Sequence, residues 1–197
     1  MHRRPQPNPG PVRQDSEHRD VVYRIDADDR ICFVNDAWLD FADANAGPSG
    51  AEGLLGSPIL SHISDAETRH IYRLLLDRAR AAARPVRFRY RCDSPELRRL
   101  LEMHIRALPG GQVEFSSRVL RLEPRAPVRL LDPAARQRRG DPLQICSWCK
   151  AVQVQTAWLE VEAAMQRLGA SDADLPPLSH GICPACSDRL TRLGGAP

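Results

Sequence analysis

Four of the six cysteines in this sequence fall in two C-x-x-C pairs, Cys146-Ser147-Trp148-Cys149 and Cys183-Pro184-Ala185-Cys186. A C-x-x-C turn sets two thiolates on one side of a tight knuckle, where backbone amides can donate to sulfur. Two such knuckles supply four sulfurs, the donor set of a closed tetrahedral zinc site. The spacing therefore predicts structural Zn²⁺ held by Cys146, Cys149, Cys183 and Cys186. His180 stands three residues before Cys183, which is also ligand spacing. It could replace one cysteine, but four thiolates already fill a closed site, so its favoured role is to donate to a ligand sulfur from outside the coordination sphere. Disulfide exchange is the competing chemistry of a C-x-x-C pair. Enzymes of that kind place the pair where a strand of a parallel βαβ unit meets its helix, and no parallel unit is legible around either pair.

The elements that must position these pairs are short. A segment of about 50 residues rarely supplies enough core alone, and the energy of metal binding then becomes folding energy. Between the knuckles, Trp158, Val161, Met165 and Leu168 recur on one face of a helix expected from about Thr156 and ended by Gly169. Leu190 and Leu193 can pack back after the second knuckle, and Trp148 and Trp158 are expected to form the small hydrophobic core.

Composition bounds the rest. A chain of 197 residues accommodates one ordinary domain and one small module. Hydrophobic residues at 42% and charged residues at 27% suit a soluble globular chain, and no stretch approaches the ~18 apolar residues of a membrane helix. The formal charge of +3, from 28 basic and 25 acidic residues interspersed, is too balanced for a surface that tracks phosphates. Met1-His2-Arg3-Arg4-Pro5 leads into polar, proline-rich sequence with no apolar targeting segment. A cytoplasmic protein is expected, whose cysteines in that reducing compartment are not three disulfides. Lys150 is the only lysine, which leaves no glycine loop with a following Lys to cradle phosphate. Histidine-kinase boxes are missing, and the acidic residues form no paired motif. The chain reads as no enzyme.

Proline-rich polar sequence marks 1–20 as a disordered arm. Proline and charge rise again across Pro127, Pro133, Arg136, Arg138 and Arg139, so 126–143 reads as a linker. Two folded units remain, 21–125 and 144–193. The first is α+β. Two short strands at 21–25 and 30–34 make a hairpin. Asn35 then caps a helix carrying Trp38, Leu39, Phe41 and Ala42. A longer amphipathic helix spans about 65–83, with Ile71, Leu74, Leu75, Ala79 and Ala82 on one face. Next, Val86, Phe88, Tyr90 and Cys92 alternate with Arg87, Arg89 and Arg91, a strand with one apolar face. Strands at 97–108 and 112–122 follow, joined through Pro109-Gly110-Gly111. Cys32 and Cys92 fall among apolar residues and are expected to pack as small hydrophobes.

The order of two strands, helices and three antiparallel strands resembles the PAS sensor fold. It is carried by Tyr23-Arg24-Ile25-Asp26, the Val34-Asn35 step before Trp38, Leu55-Gly56, the helix from Ala66 and the meander over 85–122. The resemblance implies a five-stranded antiparallel sheet with helices on one face, any ligand in the interior between them, and a sensing or dimerising role. Haem-binding members of that family draw their axial histidine from the helix that here carries His70, which makes His70 the implied haem candidate. The flavin-binding branch needs a cysteine in an asparagine-rich motif, and 47–65 supplies none. In the carboxy-terminal third, Ile145-Cys146-Ser147-Trp148-Cys149-Lys150, Trp158, Glu160 or Glu162, and Ser179-His180-Gly181-Ile182-Cys183-Pro184-Ala185-Cys186 are similar to a small cysteine-rich segment at the ends of bacterial signalling proteins. There it accompanies sensor, kinase or receiver domains.

Together these features lead us to expect a non-catalytic cytoplasmic signalling protein. A PAS-like domain would sense or form a homodimer, and a zinc-stapled module on a flexible linker would contact a partner protein. Two other readings stay open. One is a nucleic-acid-binding transcriptional regulator in which the zinc module reads DNA and Arg136, Arg138 and Arg139 touch phosphates. Glu160 and Glu162, with only Arg167 as a base, suit a groove-reading helix poorly. The other is a thiol-disulfide or redox-switch protein using the C-x-x-C pairs.

Overall fold

The computed structural model describes residues 19–44, 52–82, 84–132, 135, 141–169 and 175–195. The arm expected at 1–20 lies outside these except for Arg19 and Asp20, and Arg136, Arg138 and Arg139 lie outside them too.

Period-two alternation and turn chemistry build the first half. β1 (Val21–Ile25) and β2 (Ile31–Val34) form the expected hairpin. Its turn is held by the Asp26 carboxylate, which accepts the N–H groups of Asp28 and Arg30, both at 2.9 Å. The Asn35 side-chain oxygen accepts the N–H of Trp38 at 2.9 Å and that of Val22 at 3.0 Å, so one side chain caps α1 (Asp36–Ala44) and fixes it to β1. α2 (Ala66–Ala81) is capped by Asp65, whose carboxylate accepts the Thr68 N–H at 2.6 Å. The meander β3 (Val86–Arg91), β4 (Leu97–Ala107) and β5 (Val113–Pro124) completes a five-stranded antiparallel sheet in the order β2-β1-β5-β4-β3.

The sheet has two unlike faces. Ile25, Phe88, Ile105, Val113 and Phe115 are buried with Ile71, Leu75, Leu76 and Ala79 of α2, and Tyr23 stacks on Phe115 at 4.5 Å. The opposite face carries ion pairs between cross-strand neighbours: Glu114 accepts from Arg24 at 2.8 Å and from Arg106 at 2.6 Å. Burial pushes the Glu114 carboxyl up, but the hydrogen bonds from Arg106 and Arg24 outweigh it and hold the group below the usual carboxylate range.

The second half begins with a 3₁₀ turn, Arg129–Leu131, and continues through β6 (Leu143–Cys146), β7 (Val152–Val154), β8 (Ala157–Leu159), α3 (Val161–Leu168), β9 (Leu178–Gly181) and α4 (Pro184–Gly195). Its four strands order as β8-β7-β6-β9, with β9 parallel to β6. Leu130, Ile145, Val152, Val161, Ala164 and Leu175 form its own small core.

Several expectations are corrected here. The helix expected from Thr156 begins at Val161, because Gln155 (φ 56°) turns the chain back and Trp158 pairs with Gln153 as part of β8. Leu168 is exposed at the helix end. Val128 and Leu130, expected in the linker, are buried against Ile145 and Val152, and the Val128 N–H donates to Pro95 at 3.0 Å. Proline made 126–143 read as a linker, but the apolar residues between the prolines fill a core. Nor is that small core the second half's only one. Cys146, Trp148, Ile182, Cys183, Cys186 and Leu190 are buried in one cluster with the sheet and α2, and Trp158 packs on it too. α4 approaches α2 at Gly194, where a Cβ would stand 2.7 Å from the Leu74 Cβ. Cys32 is exposed, since the β2 alternation turns Ile31 inward and Cys32 outward. Cys92 is half-buried, and burial pushes its thiol up.

Two outcomes follow from this packing. Because the core is shared, far-UV circular dichroism and tryptophan fluorescence should report one coincident urea transition, and Leu190→Ala should lower its free energy by about 2–5 kcal/mol. Two separated transitions would contradict a common core. A depressed carboxyl contributes stability above its unfolded pKa and loses it as pH falls through the folded value. The stability gap between wild type and Glu114→Gln should therefore close as pH drops below the ordinary carboxylate range, read as converging urea midpoints.

Candidate metal centre

Parallel pairing is what brings the two C-x-x-C pairs together. β6 and β9 run side by side in the register Leu143↔Leu178 to Cys146↔Gly181, so both strands end at the same end of the small sheet. Cys146 is the last residue of β6, and Cys183 follows β9 by two residues. Both knuckles thus open on one side. In the first, the Cys146 N–H donates to Ala151 at 2.8 Å, the Lys150 N–H returns to the Cys146 carbonyl at 3.0 Å, and Lys150 takes a left-handed φ of 63°. The second is joined to it through the Ser147 N–H, which donates to Gly181 at 2.8 Å. The Gln144 side chain lies over Gly181, where a Cβ would stand 2.4 Å from its amide nitrogen. Pro184 starts α4, and Cys186 lies in its first turn.

The four Sγ atoms all lie within 4.8 Å of one another, and Cys149 Sγ is 3.7 Å from Cys183 Sγ. A tetrahedron with metal–sulfur arms of about 2.3 Å has edges of about 3.8 Å, so the cluster is nearly of coordination size. Backbone amides point at the sulfurs: the Cys183 N–H reaches Cys146 Sγ at 3.4 Å, the Cys149 N–H also donates to Cys146, and the Ala151 N–H donates to Cys149. The Cys149 and Cys186 thiols donate to the Cys146 sulfur and hold its pKa far below the ordinary thiol range. The cost falls on the donors. Cys149 is pushed up to about 12, chiefly by its bond to Cys146, and Cys186 is raised further by Cys146 and Cys149. One thiolate is easy here and four are not, unless a cation sits among them. The donor set, its size and its N–H···S bonds fit a metal ion that these four cysteines could hold.

The other candidates lie elsewhere. His180 is exposed on β9, outside the sulfur cluster, and lines a cavity of about 360 Å³ between the first knuckle, the sheet and the start of α2. His70 is exposed on α2 and is not among the residues lining that cavity. The expectation that no parallel unit surrounds the cysteines is corrected by β6 and β9. Strands of four residues leave no readable run, and the Cys183–Cys186 pair does sit at a strand-to-helix junction.

The sequence also hid what clips the centre to the sheet. The Arg91 N–H, at the end of β3, donates to the Trp148 carbonyl at 2.6 Å. The Arg91 guanidinium bridges the Asp93 carboxylate, which is fully buried, and Glu160 at 2.7 Å. Arg125 joins Asp93 and Glu162 at 3.3 Å each, and Arg98 reaches Glu162 at 2.7 Å. Arg91 reads as a solvated strand residue, and no local pattern announces partners so distant in sequence. No family model and no curated protein matches this chain. Among the described residues, no helix is long and apolar enough to cross a membrane.

The centre makes a direct prediction. Colorimetric metal analysis should return one divalent ion per chain. Cys146→Ser or Cys183→Ser should weaken binding by at least about 100-fold, whereas Cys32→Ser and Cys92→Ser should keep the full complement.

Proposed function

We propose that this chain is a non-catalytic cytoplasmic signalling protein. In this reading a PAS-like sheet senses or dimerises, and a module stapled by structural zinc at Cys146, Cys149, Cys183 and Cys186 contacts a partner protein. The observation that carries it is the shared core. Trp148, inside the first knuckle, packs its ring against Tyr72 of α2 at 6.0 Å, which puts the metal-holding turn in direct contact with the core of the sheet and α2. The strand order, with α2 packed on one face, supports the PAS-like reading. Four thiolates in a closed, mostly buried site favour zinc over harder cations. Free thiols throughout suit a reducing compartment.

Other readings gain less support. Ser57 Oγ lies 2.7 Å from His62 Nε2, as a nucleophile and base would, but its hydroxyl already donates to the Leu54 carbonyl at 2.5 Å. Glu160, just before α3, and Glu162, in its first turn, are tied to Arg91, Arg98 and Arg125, and carboxylates at that helix start would repel the phosphates of a DNA groove. The redox reading draws support from the strand-to-helix position of Cys183 and Cys186, yet attack on a disulfide needs an exposed thiolate and both residues are buried.

Elemental analysis together with light scattering and in-cell cross-linking tests the proposal. The expected result is one zinc per chain and a homodimer, or a complex with a kinase or receiver protein, that Cys146→Ser abolishes. A zinc-loaded chain that stays monomeric and cross-links to no protein would overturn it. Duplex DNA binding with a steep negative salt slope would install the regulator instead, and reductase-coupled turnover by the metal-free chain would install the redox protein.

A further inference from the structure

Four thiolates around one divalent ion leave negative charge in excess, and here the four sulfurs belong to residues that are buried or half-buried. Such charge is costly away from water unless donors or cations meet the sulfurs. Backbone amides reach Cys146 and Cys149. Cys186 is met by a side chain: Arg189 Nη2 donates to its sulfur at 3.8 Å.

The placement of Arg189 gives that contact two consequences. Cys186 and Arg189 stand three residues apart on α4, so they share a helix face, and the Arg189 side chain turns back along it toward the metal centre. The same Nη2 donates to the Arg89 carbonyl on β3 at 3.2 Å. A terminal guanidinium nitrogen carries two hydrogens, one for each acceptor. β3 is an edge strand of the large sheet, and the Arg91 N–H two residues on is taken by the Trp148 carbonyl of the first knuckle. The first knuckle thus reaches this edge through a carbonyl, and the second reaches it through Arg189. Neighbouring charges are engaged elsewhere. Lys150 Nζ donates to the Ser147 carbonyl at 3.0 Å, and Asp93 is held by Arg91 and Arg125.

We propose that Arg189 is a positioning residue of the metal centre, which orients the Cys186 sulfur, offsets part of the charge of the four thiolates and ties that sulfur to the edge of β3. This role rests on the metal-holding part of the proposed function. A guanidinium stays charged at any working pH, so its contribution varies with salt rather than with pH.

Competition with a fluorescent chelator reads the zinc affinity of the full chain, Arg189→Met, Arg189→Lys and Arg192→Met, the last making the same charge change farther along α4. Arg189 is exposed, so Arg189→Met should keep the wild-type far-UV circular dichroism. It should bind one zinc about tenfold more weakly, Arg189→Lys should recover most of that loss, and Arg192→Met should stay within about twofold of wild type. The gap between wild type and Arg189→Met should shrink as salt rises toward about 1 M, where screening acts within ~3 Å. With Co²⁺ in place of zinc, the sulfur-to-cobalt charge-transfer band should move to longer wavelength in Arg189→Met and not in Arg192→Met, because a sulfur that loses a donor holds its lone pairs at higher energy. Equal affinity of wild type and Arg189→Met would overturn the role of Arg189. So would a gap indifferent to salt, no recovery in Arg189→Lys, an equal loss in Arg192→Met or an unmoved cobalt band. In each of these cases one zinc per wild-type chain would keep the metal reading, whereas a wild-type chain that takes up no zinc would overturn both.

Discussion

Four sulfurs within 4.8 Å of one another repel as soon as more than one is ionised, and in this protein that repulsion is built into the fold. The backbone, not the side chains, creates it. Two four-residue strands in parallel register end together, and the Ser147 and Cys183 amides cross between the knuckles. Once the strands pair, the thiols have nowhere else to go. Shared protons can relieve the strain for one thiolate, which is why Cys146 ionises easily while Cys149 and Cys186 resist. A divalent ion relieves it for all four, and its binding energy is then spent on the register of β6 and β9.

That register reaches the sheet by two routes of different physics. One is apolar: Trp148, Ile182 and Leu190 enter the core of α2 and the inner sheet face. The other is ionic, through Asp93. A carboxylate with no exposure is costly to bury, and Arg91 and Arg125 offset that cost while their remaining donors hold Glu160 and Glu162. Burial of this kind depends on every member being in place. It sets how α3 sits against the meander.

Elements with a period were legible in the sequence, and elements defined by a partner were not. The alternation of Val86, Phe88 and Tyr90 marked β3, the Ile71-Leu75 face marked α2, and the doubled C-x-x-C marked the cluster, because each signal is written within a few residues. The misread positions share the opposite property. Trp158 satisfies a helical face and a strand equally, and only its pairing with Gln153, reached through the left-handed Gln155, decides between them. Val128 and Leu130 sit between prolines, and the core they fill is assembled from strands farther along the chain. His180 stands at ligand spacing from Cys183, yet the side-to-side alternation of β9 decides where it faces.

The small size of the carboxy-terminal elements explains why the two halves are joined as they are. Strands of three and four residues and an eight-residue helix bury too little surface to be stable alone, and isolated helices of that length are marginal in water. A metal staple fixes one end of such a module and leaves the rest to find a core. Here the module adds its neighbour's core to its own small one: Leu190 and Trp148 are buried with the five-stranded sheet and α2. The join is imperfect around Thr68, where packing leaves a cavity and a hydroxyl without a partner.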